Sequence, residues 1–198
     1  GRVEDLLWNG FWREGLGGES APGYASGWCV SFYEVAELLP KLGVDIWSNP
    51  KLKKMADIGL DLSVAGDLTP SIGDSGSILG SKRVGWTPAL QGPAFDHYGD
   101  PRHAKALALM GAEDKDLWED RFDEVKAAAV AAQEGTDLGL TTRNLGGYGL
   151  GVLEAGEGAQ KRGVAMYYGH AGGGHGHRDR LNIEMFAYDL PILTDMGY

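Results

Sequence analysis

GGGHGHRDRLNIEMFAYDLPILTD, residues 172–195, decides how this chain reads. Its opening glycines favour turns over regular structure. From Leu181 the pattern acquires a period of two: Leu181, Ile183, Met185 and Ala187 alternate with Asn182, Glu184, Phe186 and Tyr188, which is the signature of a strand. Asp189 to Pro191 punctuate the run and ILTD resumes it, so the stretch predicts a strand, a turn and a returning strand. Working outward, GVLEAG (151–156) and VAMYYG (164–169) are two earlier strand candidates. The last third of the chain is therefore expected to be antiparallel β.

Upstream the period is that of a helix. Residues 26–39 set Trp28, Phe32, Val35, Ala36 and Leu39 on one face, and Pro40 stops the pattern. Asn49 and Pro50 form an N-cap and first-turn pair for a second helix with a stripe of Leu52, Met55, Ile58 and Leu62. Residues 63–99 lose periodicity in TPSIGDSGS and GWTPALQGPAF and read as long loops with one short helix, and long loops in folded domains often carry function. A short helix is expected over 101–110. A longer one follows from Asp116, with Trp118, Phe122, Val125 and Ala129 as its stripe and Gly135 as its stop. The break near 136–144 separates a helical part from a β part, so the class is α+β.

Composition narrows the function classes. The chain has 198 residues with 18 Lys plus Arg against 28 Asp plus Glu, a net charge of −10. That sign argues against nucleic acid as a partner, because phosphate backbones recruit cations. The absence of an unbroken apolar run of ~20 residues argues against a membrane span. Residues 111–134 carry eight acidic and three basic side chains, read as a solvated helix face. Glycine, at 32 residues, is about twice its usual ~7% share and serves turns and close approaches. Cys29, the single cysteine, sits in WCVSF and reads as a buried, inert thiol. GRVEDLLWNG opens in mid-pattern and DMGY ends abruptly, so both ends read as cut from a longer protein.

The densest chemistry lies in the quoted stretch and just before it, where His170, His175 and His177 fall within eight residues and Asp179 follows. On an extended backbone His175, His177 and Asp179 share a face. Imidazoles with Asp179 or Asp195 in reach suit zinc, although a polar hairpin whose histidines meet solvent is equally compatible with the spacing. The second concentration is NGFWREGLGGESAPGYASGW (9–28), with Glu14, Glu19 and Tyr24 in a glycine-rich loop leading into the first helix. Tyr24 there is either a proton-transfer group or a packing residue.

GGGHGHRDRLNIEMFAY followed by ILTDMGY resembles the signature of the heparinase II/III-like polysaccharide lyases. NGFWREG with its downstream GY, TPSIGDSGS, and RNLGGYGLGVLEAG are similar to that family's landmarks in the same order. The resemblance implies a partial (α/α) toroid over 1–138 followed by the first strands of an antiparallel β-sandwich over 139–198. It implies Tyr24 and His175 as the catalytic acid and base, and His177 and Asp195 as ligands of a chiefly architectural zinc. Glu14, Glu19 and Arg178 are expected to touch substrate, with either glutamate as the counterpart of the family's: Glu14 follows the N-G-F-W pattern, while Glu19 stands five residues before Tyr24. The implied reaction is β-elimination on a uronic-acid polysaccharide, in a secreted or periplasmic protein. The family's carboxylate-binding Asn or His and a further zinc histidine have no counterpart in this stretch, so the chain alone is expected to be inactive.

Two other functions fit the same residues. One is a zinc-dependent hydrolase with the metal on His175, His177 and Asp195 and Glu184 as general base. The other is a non-catalytic carbohydrate-binding protein that stacks sugars on Trp8, Trp12, Trp28 and Trp86. An anionic polymer meets long-range repulsion from a charge of −10. Arg13, Arg143, Arg178 and Arg180 beside the motifs are expected to override it locally, since screening removes distant charges beyond ~8 Å. The oligomeric state is left open.

Overall fold

The computed structural model of the chain describes residues 2–110, 138–170, 174–178 and 180–196. The expected helix from Asp116 and the candidate ligand Asp179 lie outside the described residues.

Helix α1 (Val3–Asn9) leads through the glycine-rich loop into α2 (Pro22–Leu38). α2 starts before the predicted residue 26, because Pro22 in its first turn already holds a helical φ. Tyr24 is thus part of the first turn and not of the preceding loop. The buried face of α2 also differs from the predicted stripe: it is Pro22, Ala25, Cys29, Tyr33 and Ala36, while Trp28 and Val35 are half exposed. The helix is apolar on two sides. Burial selects the side with small residues, along which α3 (Pro50–Asp61) comes close enough for the Tyr33 hydroxyl to donate to Leu52 O at 2.7 Å. Trp28, Phe32 and Val35 instead border a groove with Val3, Leu6 and Phe11. Cys29 is buried as expected, and burial pushes its thiol up to about 12.

α3 matches its sequence pattern. The Asn49 side chain accepts from the Lys51 N–H at 3.0 Å, and Leu52, Met55, Ile58 and Leu62 are all buried. The loop-rich stretch that follows contains a two-stranded pair, β1 (Leu68–Thr69) and β2 (Ser81–Lys82), and α4 (Pro88–Tyr98), capped by the Thr87 hydroxyl. α5 (Pro101–Met110) is the predicted short helix. Among the described residues, no helix is long and apolar enough to cross a membrane.

The β part is one antiparallel sheet in sequential order: β3 (Arg143–Leu145), β4 (Leu150–Ala155), β5 (Arg162–Tyr167), β6 (Asn182–Ala187) and β7 (Leu190–Leu193). Tyr188 and Asp189 turn β6 into β7 with φ of 57° and 58°, positive at both central positions as a tight hairpin with the correct twist requires. Register sets Val152 against Ala165 and Ala165 against Glu184, so Leu150, Val152, Ala165, Tyr167 and Phe186 face inward. They share one core with Leu16, Ala25, Ile58, Leu62, Val64, Leu68 and Ile72 of the helical part. Burying a side chain such as Phe186 contributes ~1.5–3 kcal/mol, so this shared core fixes the sheet against α2 and α3. The outward face is also apolar, with Leu153, Met166, Ile183, Met185 and Ile192 exposed.

Candidate functional site

The site forms where three loops meet above that core. The first ends in Tyr24 on α2, the second is the turn Ile72–Ser75, and the third carries His175 and His177. The Ser75 hydroxyl accepts the Gly23 N–H at 2.8 Å, tying the second loop to the start of α2. The Asp74 N–H donates to His175 O at 2.9 Å, tying it to the third. Gly73 makes this approach feasible: its φ is +56°, and a Cβ there would stand 2.2 Å from His175 O.

Asp74 joins both histidines. His175 Nδ1 lies 3.0 Å from one carboxylate oxygen and His177 Nε2 lies 2.8 Å from the other. An ionised carboxylate only accepts, so each imidazole gives Asp74 an N–H; in the neutral form of each ring the lone pair then falls on the opposite nitrogen, Nε2 in His175 and Nδ1 in His177. Hydrogen bonds from His175, then His177, hold the Asp74 carboxyl below the usual carboxylate range. The expectation of an extended backbone here is corrected. His175 has a left-handed φ of 61°, and the two rings converge through turns and a shared carboxylate and not through strand alternation.

Tyr24 lies flat on His175, with ring centroids 3.6 Å apart and planes 5° from parallel. Rings in contact leave no room for a sugar between them. Both side chains remain partly exposed, so a ligand can meet their edges. Glu19 completes the group: its Oε1 accepts the Trp28 indole N–H at 3.0 Å, and its buried Oε2 lies 4.0 Å from His175 Nε2.

The other candidates sit apart from this pair. Glu14 Oε1 accepts from the Gly147 N–H at 2.9 Å and from Arg13 at 3.1 Å, fastening the glycine-rich loop to the β3–β4 turn. Burial works to raise the Glu14 carboxyl, but these bonds outweigh it and leave it below the ordinary value. Arg178 and Arg180 are exposed beside His177. Arg143 is half-buried instead, donating to Asp61 O and Ser63 O and pairing with Glu154, so its guanidinium is committed to the fold. Asp195 accepts from Asn182 Nδ2 at 2.9 Å.

Neither a family model nor a curated protein matches the chain. Solved structures do match. The heparan sulfate lyase HepC from Pedobacter heparinus is 15% identical with a TM-score of 0.60, over 98% of this chain and 27% of that one. A heparinase III with methylated lysines is 14% identical with a TM-score of 0.60 over the same shares. A further heparinase III is 16% identical with a TM-score of 0.59, over 98% of this chain and 29% of that one. The chain has a heparinase III-like fold. It spans under a third of the length of those lyases.

Of the two expected zinc ligands, His177 has its Nε2 on Asp74 and Asp195 accepts from Asn182; both are side-chain types that zinc takes, and together they are two of the roughly four ligands a closed site needs. Among the described residues, the three metal-capable side chains with donor atoms within 4.8 Å of one another are Asp57, Asp100 and His103. That cluster already pairs with Lys53 and Arg102, so its cations are built in. The tryptophans divide as well. Trp8 and Trp28 are exposed, while Trp86 is buried with its indole N–H on Gly59 O at 2.9 Å and belongs to the core.

Asp74 is the member of the site that sequence reading missed. TPSIGDSGS stood out as a landmark, and the signal available was a single carboxylate between two glycines in a tight turn. Its partners lie about a hundred residues away.

Proposed function

We propose that the intact protein is a polysaccharide lyase that cleaves a uronic-acid polymer by β-elimination. The observation that carries this reading is the Tyr24–His175 pair, two proton-handling side chains stacked in a partly exposed position, with His175 oriented by Asp74. The C5 proton beside a uronate carboxylate is weakly acidic, so elimination needs that carboxylate neutralised, the proton removed and the departing 4-oxygen protonated. His175 Nε2, left with its lone pair, and the Tyr24 hydroxyl supply the two proton transfers to a sugar lying against their common edge. Glu19 and the exposed Arg178 would contact substrate hydroxyls and charge.

The same reading places the helices in an (α/α) toroid and the sheet in one layer of a β-sandwich. The apolar outward face of Leu153, Met166, Ile183, Met185 and Ile192 supports a second layer there. Zinc, held by His177 and Asp195 with ligands from elsewhere in the protein, would fix the histidine loop. The substrate class favours a secreted or periplasmic location.

A panel of uronate polysaccharides incubated with the intact protein tests the proposal. Elimination leaves a conjugated, ultraviolet-absorbing uronate at each new end. Cleavage without that absorbance would assign a hydrolase instead, and binding without cleavage a carbohydrate-binding protein. For the metal, a His177→Ala protein that retains its full zinc content excludes His177 as a ligand.

A further inference from the structure

We infer that the chain carries a second carbohydrate site, a groove between the end of α1 and the first turn of α3 that takes an anionic sugar ring. Trp8, Phe11, Trp12, Arg13, Lys51 and Lys54 line it, and its volume of ≈ 300 Å³ leaves room for a single ring. Trp8 lines the groove and is 66% exposed. An electron-rich ring face attracts the polarised C–H groups of a pyranose, and an exposed tryptophan is the side chain best suited to that stacking.

Charge selects an anionic sugar over a neutral one. Three cations converge on a groove in a chain whose net charge is −10. The neighbouring carboxylate, Glu14, is already held by Gly147 and Arg13. The Lys51 ammonium is buried, donates to Phe11 O at 2.9 Å and stands 5.5 Å from the centre of the Trp8 ring. Arg13 is 70% exposed and engages Glu14 through Nε. Lys54 is exposed and reaches Arg13 O at 3.3 Å. Burial, then the charge of Lys54, lowers the Lys51 pKa, so the two ammonium groups repel. A carboxylate or sulfate between them relieves that repulsion, and a hydroxyl does not. The groove flanks the start of the loop whose far end carries Glu19 beside His175, and it shares none of the Tyr24, His175 or Asp74 contacts.

The inference rests on the lyase reading only for the choice of a uronate polymer as probe. Binding of a heparan sulfate tetrasaccharide, its desulfated counterpart and a neutral cello-tetraose is measured by calorimetry on intact Tyr24→Phe protein, alone and combined with Trp8→Ala or Lys54→Gln. Both groove side chains are exposed, and circular dichroism checks that the fold is retained. The charged tetrasaccharide is expected to bind about tenfold more weakly to the Trp8→Ala protein and several-fold more weakly to the Lys54→Gln protein. Loss of affinity on desulfation identifies sulfate as the anchoring group, and retained affinity identifies the carboxylate; either supports the site. Cello-tetraose binding as tightly as the charged sugars, or both groove variants binding like their parent, overturns it. Elimination by wild-type protein is followed separately by ultraviolet absorbance, so a groove that binds in a protein that does not eliminate is told apart from a lyase without this groove.

Discussion

Tyr24 and His175, separated by most of the chain, stack face to face at 3.6 Å. The contact joins the first turn of a helix to a loop of the β part, so each half contributes one ring and neither forms the pair alone. Three other tyrosines, Tyr33, Tyr98 and Tyr148, are committed elsewhere. The hydroxyls of Tyr33, Tyr98 and Tyr148 donate to the backbone oxygens of Leu52, Trp47 and Ser20, and burial pushes all three phenols upward.

Replacing Tyr24 by phenylalanine keeps the ring on His175 and removes only the hydroxyl. The rate of elimination by the intact protein is expected to fall by roughly 10² or more, the usual scale for losing an acid or base, with the thermal midpoint nearly unchanged. Ultraviolet absorbance of the product reads the rate. Turnover at the wild-type rate would make Tyr24 a packing residue.

In the proposed reaction Asp74, bonded to both histidines, acts through them as a positioning residue. In the Asp74→Ala protein kcat is expected to drop by about 10- to 100-fold, the range for losing a carboxylate that orients a functional histidine, with KM little changed. Nitrogen NMR of the imidazoles gives an independent readout: the wild-type protein should carry the His175 proton on Nδ1, and the variant should show mixed tautomers. A single, unchanged tautomer in the variant would remove Asp74 from this role.

Gly73→Ala tests the approach of the two loops. The φ of +56° and the 2.2 Å distance from the added Cβ to His175 O leave no place for a methyl group. A destabilisation of about 2–4 kcal/mol is expected, the range for strain at a special backbone position. Chemical denaturation measures it, and a loss under about 1 kcal/mol would show that the loops separate at little cost.

Acid should weaken the helical part through Asp57 and Asp100. Burial works to raise both carboxyls. It is outweighed at Asp100 by hydrogen bonds from Arg102 and Lys53, and at Asp57 by those from His103 and Lys53, so both lie below the ordinary 3.8. Groups held low in the folded state stabilise it fully above about pH 4, and that contribution is lost as pH falls through their folded values. Asp61, which burial raises, has the opposite sign and offsets part of the loss. Thermal midpoints should therefore decline below about pH 4. Asp100→Asn should flatten that decline and cost on the order of 1–2 kcal/mol near neutral pH. A variant whose acid limb superimposes on the wild type would remove Asp100 as a source of the effect.

What the sequence determined by itself is what local chemistry specifies. The Asn49–Pro50 start of α3 and its Leu52, Met55, Ile58 and Leu62 stripe follow from capping and a period of 3.6. The β6–β7 hairpin follows from the period of two and its punctuation, and the buried thiol of Cys29 from its apolar neighbours. Tertiary structure decided which of two apolar faces is buried. α2 turns Ala25, Cys29 and Ala36 inward and leaves Trp28 half exposed, and β6 buries Glu184 and Phe186 while Ile183 and Met185 face out. Periodicity detects a face but not the neighbour that covers it. The site was legible as residue types in two glycine-rich stretches, whereas the Asp74 bridge and the Tyr24 stack were not, because they join loops distant in sequence through the shared core of Leu16, Ile72, Tyr148 and Phe186. Spacing along a chain carries no information about contacts that only the packing of that core brings together.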